Sequence, residues 1–194
     1  MIHVIGPRDE NRFSCPLVNT TSKSTNWSKG LSPFFLGPVH YRNIHAKNVE
    51  NGWQYSKVYQ GYTNPDGTPS EKWFAWSKAG FQKEWADRYP MGKGAKPLYS
   101  YLGPYGDFDE AEQLGYIDAR IKIYVTLYSQ AVVKSQAWKT LYELYEKEGE
   151  LTLWDFDGYD YEKMGMTLED VLRYDKRPMG HAFVLADMLM DVAP

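Results

Sequence analysis

The sequence predicts an α+β fold that is mainly helical, in a single domain with a few short strands. Residues 116 to about 133 repeat apolar side chains at helical spacing. Residues 151–156, Leu-Thr-Leu-Trp-Asp-Phe, have the composition and length of a short strand. A length of 194 residues suits one domain and leaves little room for two. These observations predict one compact domain over residues 1–194.

The elements of the first half follow from turn signals and apolar spacing. Residues 1–30 are predicted to form a short strand and a polar loop, and residues 31–38 an apolar turn segment. A helix is predicted from about Val49 to Gln60. The turn at residues 64–69, Asn-Pro-Asp-Gly-Thr-Pro, separates it from a second helix over about residues 70–78.

The second half begins with a basic glycine loop at residues 88–97, which lacks the spacing of a phosphate-binding P-loop. An insertion rich in Gly, Pro and Asp follows at residues 103–112. The remaining predicted elements are helices over residues 116–133, 137–148, 168–172 and 180–190, and the strand over residues 151–156.

Composition excludes several classes of protein. The formal net charge of −3 gives no overall basic field for nucleic acid, although a local basic rim stays open. The single cysteine, Cys15, excludes an intrachain disulfide and favours a reducing compartment. The four histidines show no zinc-ligand spacing, so we expect no metal site. Without an apolar run of membrane length, we expect a cytoplasmic protein with no membrane partner. The oligomeric state stays open.

Aromatic residues make up 16% of the chain, including 16 Tyr and 7 Trp. Each of these side chains combines a flat apolar face with a polar tip, which suits surfaces that stack on bases or sugars. The same side chains also fill ordinary cores. The composition therefore favours nucleotide or sugar binding only mildly.

One predicted helix carries a polar stripe. Glu50, Trp53, Gln54 and Lys57 stand at i, i+3, i+4 and i+7, so on a helix they share one face. A carboxylate, an amide, an amine and an indole together resemble a small polar pocket with one aromatic wall. The alternative is a core position for Trp53 with solvated charges around it.

Two further clusters suit chemistry. The glycine loop offers backbone amides together with Arg88, Lys93 and Lys96, which suit an anion such as phosphate, although such a loop is also an ordinary surface turn. The predicted strand at residues 151–156 leads into Asp155 and Asp157. Carboxylates at a strand end suit catalysis or magnesium, while Asp-Gly is also a routine turn.

Residues 49–58 resemble the V-E-H-x-[YW]-Q-x-x-K-[FY] helix of the NADAR family. Residues 31–35, Leu-Ser-Pro-Phe-Phe, resemble that family's L-S-N-F-[YF] segment. Arg120 and the helix after it resemble its R-x-x-x-M-x-x-A-L stretch, and residues 151–157 fall where members carry a strand that leads to an Asp. The resemblance covers about residues 17–165. Asn51 replaces the usual histidine, Pro33 replaces the asparagine, and no Trp-Gly follows the Asp run.

The resemblance implies a NADAR-like α+β domain that hydrolyses N-glycosidic bonds without a cofactor. Family substrates include ribosylated pyrimidine intermediates of riboflavin synthesis and ADP-ribose attached to guanine. Cleavage of a C1′–N bond passes through an oxocarbenium-like state, which a carboxylate stabilises. We assign that role to Glu50, with Asp157 or Asp155 as the second carboxylate.

The expected substrate-binding residues divide by chemistry. Cationic side chains would neutralise phosphate, an indole would stack on the base, and the rest would complete the pocket. The set is Lys57, Arg88 and Lys93 for phosphate, Trp53 or Trp27 for stacking, and Gln54, Arg120 and Asp155.

Three hypotheses of function follow. The leading one is an N-glycosidase that acts on a nucleotide, an ADP-ribose conjugate or a base in nucleic acid, which a duplex substrate would have to flip out. The second is a non-catalytic nucleotide- or nucleic-acid-binding protein on the same scaffold. The third is an interaction protein that uses its Tyr- and Trp-rich surface against another protein.

Overall fold

The computed structural model describes residues 1–104, 106 and 110–191, and it confirms the α+β class with helices and short strands. The chain divides into two compact units. The first consists of Met1–Phe35 and the chain from Tyr128 onward, and the second of Leu36–Leu127. Each unit is described by itself. The assignment of residues 1–194 to one NADAR-like domain stays a prediction.

The strands are short and the helices carry most of the regular structure. The strands are β1 (Ile2–Ile5), β2 (Leu17–Asn19), β3 (Val39–Tyr41), β4 (Ile44–Ala46), β5 (Lys57–Val58), β6 (Tyr99–Leu102), β7 (Glu112–Leu114) and β8 (Leu151–Trp154). The helices are α1 (Val49–Gln54), α2 (Glu71–Phe81), α3 (Tyr116–Ala119), α4 (Thr126–Val132), α5 (Gln136–Glu148), α6 (Leu168–Arg173) and α7 (His181–Asp191). A 3-10 turn covers Trp27–Leu31, and a π-helical segment covers Arg120–Val125.

Most predicted helices are confirmed within a few residues, and so are the first strand and the strand at residue 151. The helix predicted to reach Gln60 is wrong, because α1 ends at Gln54 and the chain enters β5 at Lys57. The strands β2 to β7 were not predicted. The insertion predicted at residues 103–112 includes residues 105 and 107–109, which lie outside the described residues.

The first unit is built on a parallel sheet in which β8 lies between β1 and β2. His3 and Leu17 are both in register with Thr152 of the central strand. The apolar side chains of β1 are buried, and α7 packs against β1 and β8 with seven of its eleven residues buried. The central strand β8 is paired along both edges, and its Leu151 and Leu153 are fully buried.

The second unit contains a β3–β4 hairpin and the antiparallel sheet β5-β6-β7. Helix α1 packs against β4, α2 and the π-helical segment. Helix α2 begins at the N-cap Ser70, whose side chain accepts a hydrogen bond from the Trp73 backbone N–H. The Trp73 indole is buried and donates to the Lys57 carbonyl at 2.9 Å, so α2 fixes the start of β5.

No helix of the described residues has the length and the apolar character needed to span a membrane.

We predict that Gly80→Ala lowers the free energy of unfolding by about 1–3 kcal/mol. Gly80 lies on α2 against the ring of Tyr55, and an added Cβ would overlap that ring. Tyr55 is buried, so the ring has little room to move. Helix propensity alone would predict that Gly80→Ala raises the free energy of unfolding, because it favours Ala over Gly by about 1 kcal/mol inside a helix.

The measurement is chemical denaturation, with Gly115→Ala as the matched control. Among the described residues, no atom beyond the two chain neighbours lies within 4 Å of a Cβ added at Gly115, so a change below about 1 kcal/mol is expected there. Equal effects at the two positions would contradict the role assigned to the Tyr55 contact.

Candidate functional site

The polar stripe predicted on one helix is built from a short helix and the turn that ends it. The Asn48 side chain caps α1 by accepting a hydrogen bond from the Asn51 backbone N–H at 2.8 Å. At the other end, the Ser56 hydroxyl donates to the Trp53 carbonyl at 2.7 Å, which offers the backbone an alternative to helical bonding. Lys57 therefore lies on β5 rather than on the helix.

Glu50, Gln54 and Lys57 nevertheless form a continuous hydrogen-bonded chain. Gln54 Nε2 donates to Glu50 Oε1 at 2.9 Å, and Lys57 Nζ donates to Gln54 Oε1 at 2.8 Å. The two charged groups thereby fix the orientation of the amide between them. A carboxylate and an amine are coupled through one side chain.

One charged end of this chain is buried and the other, Lys57, is half-buried. Glu50 is only 6% exposed. Burial lowers the pKa of the Lys57 amine to about 8, against the opposing effect of the nearby Glu50 carboxylate. Lys57 therefore changes its charge close to physiological pH, which is unusual for a lysine.

Trp53, the predicted aromatic wall, is half-buried and lies beside the Lys57 amine. Lys57 Nζ lies 4.7 Å from its ring centroid, within the range of a cation–π contact. The Trp53 ring also packs against Tyr124, with 5.5 Å between centroids. Tyr124 belongs to the π-helical segment, a form of backbone that often occurs at functional sites.

A cavity of about 130 Å³ opens beside this chain. It is below the roughly 300 Å³ of a pocket that encloses a drug-sized ligand, so it suits a single small group. Gln54 of α1, Lys57 of β5 and Tyr59 just after β5 form one part of its wall, and the predicted glycine loop forms the rest. The lining residues are Gln54, Lys57, Tyr59, Arg88, Tyr89, Pro90, Met91, Gly92, Gly94 and Ala95.

Asn51 ties the segment before the glycine loop to α1. Its buried side chain donates to the carbonyls of Lys83 and Trp85 at 3.1 and 3.0 Å. Its Oδ1 accepts from the Asp87 backbone N–H at 2.8 Å. The three bonds fix the backbone that leads directly into Arg88, so Asn51 positions one wall of the cavity.

A second anchor reinforces the first. The Tyr55 hydroxyl donates to Asp87 Oδ2 at 2.8 Å, and Lys83 Nζ donates to the same oxygen at 2.7 Å. Burial alone would raise the pKa of Asp87, but the hydrogen bonds from Lys83 and Tyr55 outweigh it and lower that pKa. The Asp87 carboxylate therefore stays ionised and holds the loop.

Two other predicted residues of this unit lie differently. Lys93 is exposed, and in the described part of the chain it is not among the residues that line the cavity. Arg120 is 2% exposed and donates to the Tyr116 hydroxyl at 3.0 Å, with its guanidinium over that ring. Their roles in binding substrate stay predictions.

Trp27, Asp155 and Asp157 belong to the first unit. Trp27 is 38% exposed at the start of the 3-10 turn, and Asp157 is half-buried after β8. Asp155 is buried, and its Oδ2 lies 3.0 Å from His181 Nδ1. Burial would raise the pKa of Asp155, but His181 and two backbone N–H groups lower it instead. The roles of these three residues around a substrate stay predictions.

Sequence reasoning did not identify Tyr59 and Asn51 as parts of the site. Tyr59 stands two residues after Lys57, so β-strand alternation would have placed both on one face had β5 been recognised. Asn51 was visible only as a departure from the family motif. Its role depends on carbonyls more than 30 residues away, which no local pattern reveals.

Comparisons with protein-family models, curated proteins and solved structures found no match to this chain.

We predict that Asn51→Ala lowers the free energy of unfolding by about 2–3 kcal/mol, because it removes three hydrogen bonds from a buried position. The segment over residues 83–92 should lose protection most strongly. Chemical denaturation measures the first effect and amide hydrogen exchange of that segment the second.

Asn64→Ala is the matched control, because Asn64 is exposed in a turn and its loss should cost less than about 1 kcal/mol. Unchanged exchange at residues 83–92 in Asn51→Ala would contradict the anchoring role.

Proposed function

We propose that this protein is an N-glycosidase that hydrolyses the C1′–N bond of a nucleotide, an ADP-ribose conjugate or a nucleic-acid base. One observation carries the proposal. A shielded carboxylate, Glu50, is coupled through Gln54 to Lys57 at the wall of a cavity that Arg88 also lines.

The reaction breaks the bond between C1′ and the base nitrogen while water adds across it. The hydroxyl of water bonds to C1′, and its remaining proton goes to the departing base. Positive charge develops on the sugar before water attacks, so a carboxylate beside C1′ lowers the barrier. Glu50 takes that role and orients the water. Its low exposure strengthens the effect, because a charge acts more strongly where water is excluded.

The cavity suits the phosphate of such a substrate. Lys57 and Arg88 both line it, and both side chains donate hydrogen bonds well to phosphate oxygens. Gly92 and Gly94 take φ values of +90° and +86°, so the loop follows a path that favours glycine. With the phosphate in the cavity, the sugar and base extend beyond its small volume, and the Trp53 ring, whose centroid lies 4.7 Å from Lys57 Nζ, offers them a stacking surface.

The NADAR resemblance belongs to this proposal. It rests chiefly on residues 49–58, and it assigns the same Glu50 and Lys57 that the hydrogen-bonded chain brings together. The structure has Asn51 anchoring the loop where the family motif carries histidine. We therefore expect the substrate to differ from those of other family members.

A non-catalytic binding protein is the second candidate function. The observation in its favour is that Gln54 and Lys57 line the cavity, whereas Glu50 is absent from the described lining residues. In such a protein, Glu50 would only orient the Gln54 amide. The two functions differ because hydrolysis requires the negative charge of Glu50, whereas binding requires only that Glu50 accept a hydrogen bond from Gln54.

We predict that Glu50→Gln lowers turnover by about 10²–10⁴-fold, since a neutral amide neither stabilises the sugar cation nor accepts a proton from water. Binding should change little, because the amide retains an oxygen that accepts the Gln54 hydrogen bond. The measurement uses mass spectrometry to detect the base released from a panel of nucleotides, ADP-ribose conjugates and modified oligonucleotides.

Glu71→Gln, at an exposed position of α2, is the matched control and should retain full turnover. Substrate retained unchanged by the wild-type chain would establish the binding protein instead. Equal turnover in the wild type and in Glu50→Gln would remove Glu50 from the mechanism.

We predict that affinity for an ADP-ribose-type anion falls by about 10-fold or more as pH rises through about 8. Below that pH Lys57 is protonated and attracts phosphate, and above it the amine becomes neutral. Tyr59, whose pKa is raised by burial, stays neutral over the same range. Calorimetric titration with ADP-ribose measures the effect between pH 6.5 and 9.5, which is roughly 1.5 pH units on either side of the Lys57 pKa of about 8.

Lys57→Arg provides the control, because a guanidinium stays charged throughout this range. Its affinity should be nearly independent of pH. A wild-type affinity that is equally flat would contradict the phosphate role of Lys57.

A further inference from the structure

A second group of reactive side chains meets at one end of the parallel sheet of the first unit. His3 lies on β1, Cys15 precedes β2 by two residues, and Glu150 directly precedes β8. One ring nitrogen of His3, Sγ of Cys15 and one carboxylate oxygen of Glu150 lie within 4.8 Å of one another. An imidazole, a thiol and a carboxylate are the three ligand types that zinc accepts in proteins.

The imidazole of His3 is held in one orientation from several sides. Its Nε2 lies 3.0 Å from Glu150 Oε1, while its Nδ1 lies 2.6 Å from Glu162 Oε2. The ring of Phe13 stacks on it at 3.6 Å between centroids with an angle of 10° between planes. Only 3% of His3 is exposed, so the ring has little freedom to turn.

This arrangement matches a known feature of metal sites. A histidine ligand usually donates its second ring N–H to a carboxylate, which fixes the tautomer and makes the other nitrogen a better ligand. Glu162 stands in that position at Nδ1 and leaves Nε2 directed toward Glu150. The Thr152 hydroxyl lies 3.1 Å from Cys15 Sγ, where it is placed to donate a hydrogen bond to a thiolate.

We propose that His3 Nε2, Cys15 Sγ and a Glu150 carboxylate oxygen bind one Zn²⁺ ion, with water as the fourth ligand. Tetrahedral zinc with bonds of about 2.0–2.3 Å separates its ligand atoms by about 3.3–3.8 Å. His3 Nε2 and Glu150 Oε1 lie 3.0 Å apart and all three ligand atoms lie within 4.8 Å of one another, so small shifts of Cys15 and Glu150 complete the site. Both side chains lie at partly exposed positions.

The same groups have an alternative arrangement without metal. When both ring nitrogens carry protons, His3 is an imidazolium that pairs with Glu150 and Glu162. Zinc then has to displace the Nε2 proton and the thiol proton, as it does at any histidine–cysteine site. The thiol distinguishes the two arrangements, because the pairing of His3 with Glu150 and Glu162 does not involve Cys15.

Cobalt(II) titration of the whole purified chain in metal-free buffer tests the proposal. A bound thiolate gives cobalt a charge-transfer band in the near ultraviolet, and this chain contains one cysteine, so such a band reports on Cys15 alone. We expect the band to grow to one equivalent of Co²⁺ and to disappear when Zn²⁺ is added. Gel filtration should show that metal does not change the oligomeric state, since all three ligands come from one chain.

Variants at the partly exposed positions keep the test independent of folding. Cys15→Ser should abolish the band, Glu150→Gln should weaken binding, and Glu162→Gln should weaken it by about 10–100-fold through loss of the carboxylate partner. Circular dichroism verifies that each variant folds.

His40 and His45 provide the control, because their Nδ1 atoms lie 2.7 Å apart on the β3–β4 hairpin and also suit a metal. His40→Ala should leave the thiolate band intact. The proposal is overturned when saturating Co²⁺ gives no thiolate band, or when the band persists in Cys15→Ser.

Discussion

The candidate site of the second unit depends on the side chain of Asn51. Its amide makes three hydrogen bonds to the backbone at Lys83, Trp85 and Asp87, and it does so with no exposure to water. Each bond satisfies a backbone group that would otherwise need another partner. Because Arg88 follows Asp87 directly, the position of the cavity wall is set by these bonds. A loop rich in glycine has little rigidity of its own, and α1 supplies it.

The end of α1 at Gln54 determines how Lys57 reaches the Gln54 amide. A helix that continued to Gln60 would have placed Lys57 one turn beyond Gln54. The helix stops instead, the Ser56 hydroxyl bonds the Trp53 carbonyl, and Lys57 pairs with Ser100 across β5 and β6. The amine then reaches back to the Gln54 amide at 2.8 Å. The strand fixes its backbone, so the hydrogen-bonded chain rests on two rigid elements rather than on one.

The sequence predicted the longer elements well, and short or long-range features poorly, for physical reasons. Helices such as α2 and α5 span several turns, so their apolar spacing and caps are visible locally. A strand of three residues such as β2 shows too little alternation to be recognised, and its existence depends on pairing with β8. The end of α1 is likewise decided by tertiary bonding that propensity does not contain.

The site was predicted to a similar extent. Glu50, Gln54 and Lys57 come together as their spacing suggested, although by way of a turn and a strand. The anchoring by Asn51 and the His3–Cys15–Glu150 group were not predicted, because their members are far apart in sequence and are brought together by sheet register and loop docking. Spacing rules for zinc describe ligands on one local motif, and they do not apply to three ligands on or just before three different strands.

The charge of Glu50 is what distinguishes the two candidate functions physically. A site that only bound phosphate would lose affinity from a carboxylate coupled to Lys57, because that carboxylate cancels part of the field that attracts the anion. Keeping the carboxylate shielded from water also costs free energy. A reaction that develops positive charge on a sugar gains from the same carboxylate, and it gains most in the transition state. The shielded Glu50 coupled to Lys57 is therefore the observation that supports the proposal of glycoside hydrolysis over that of binding alone.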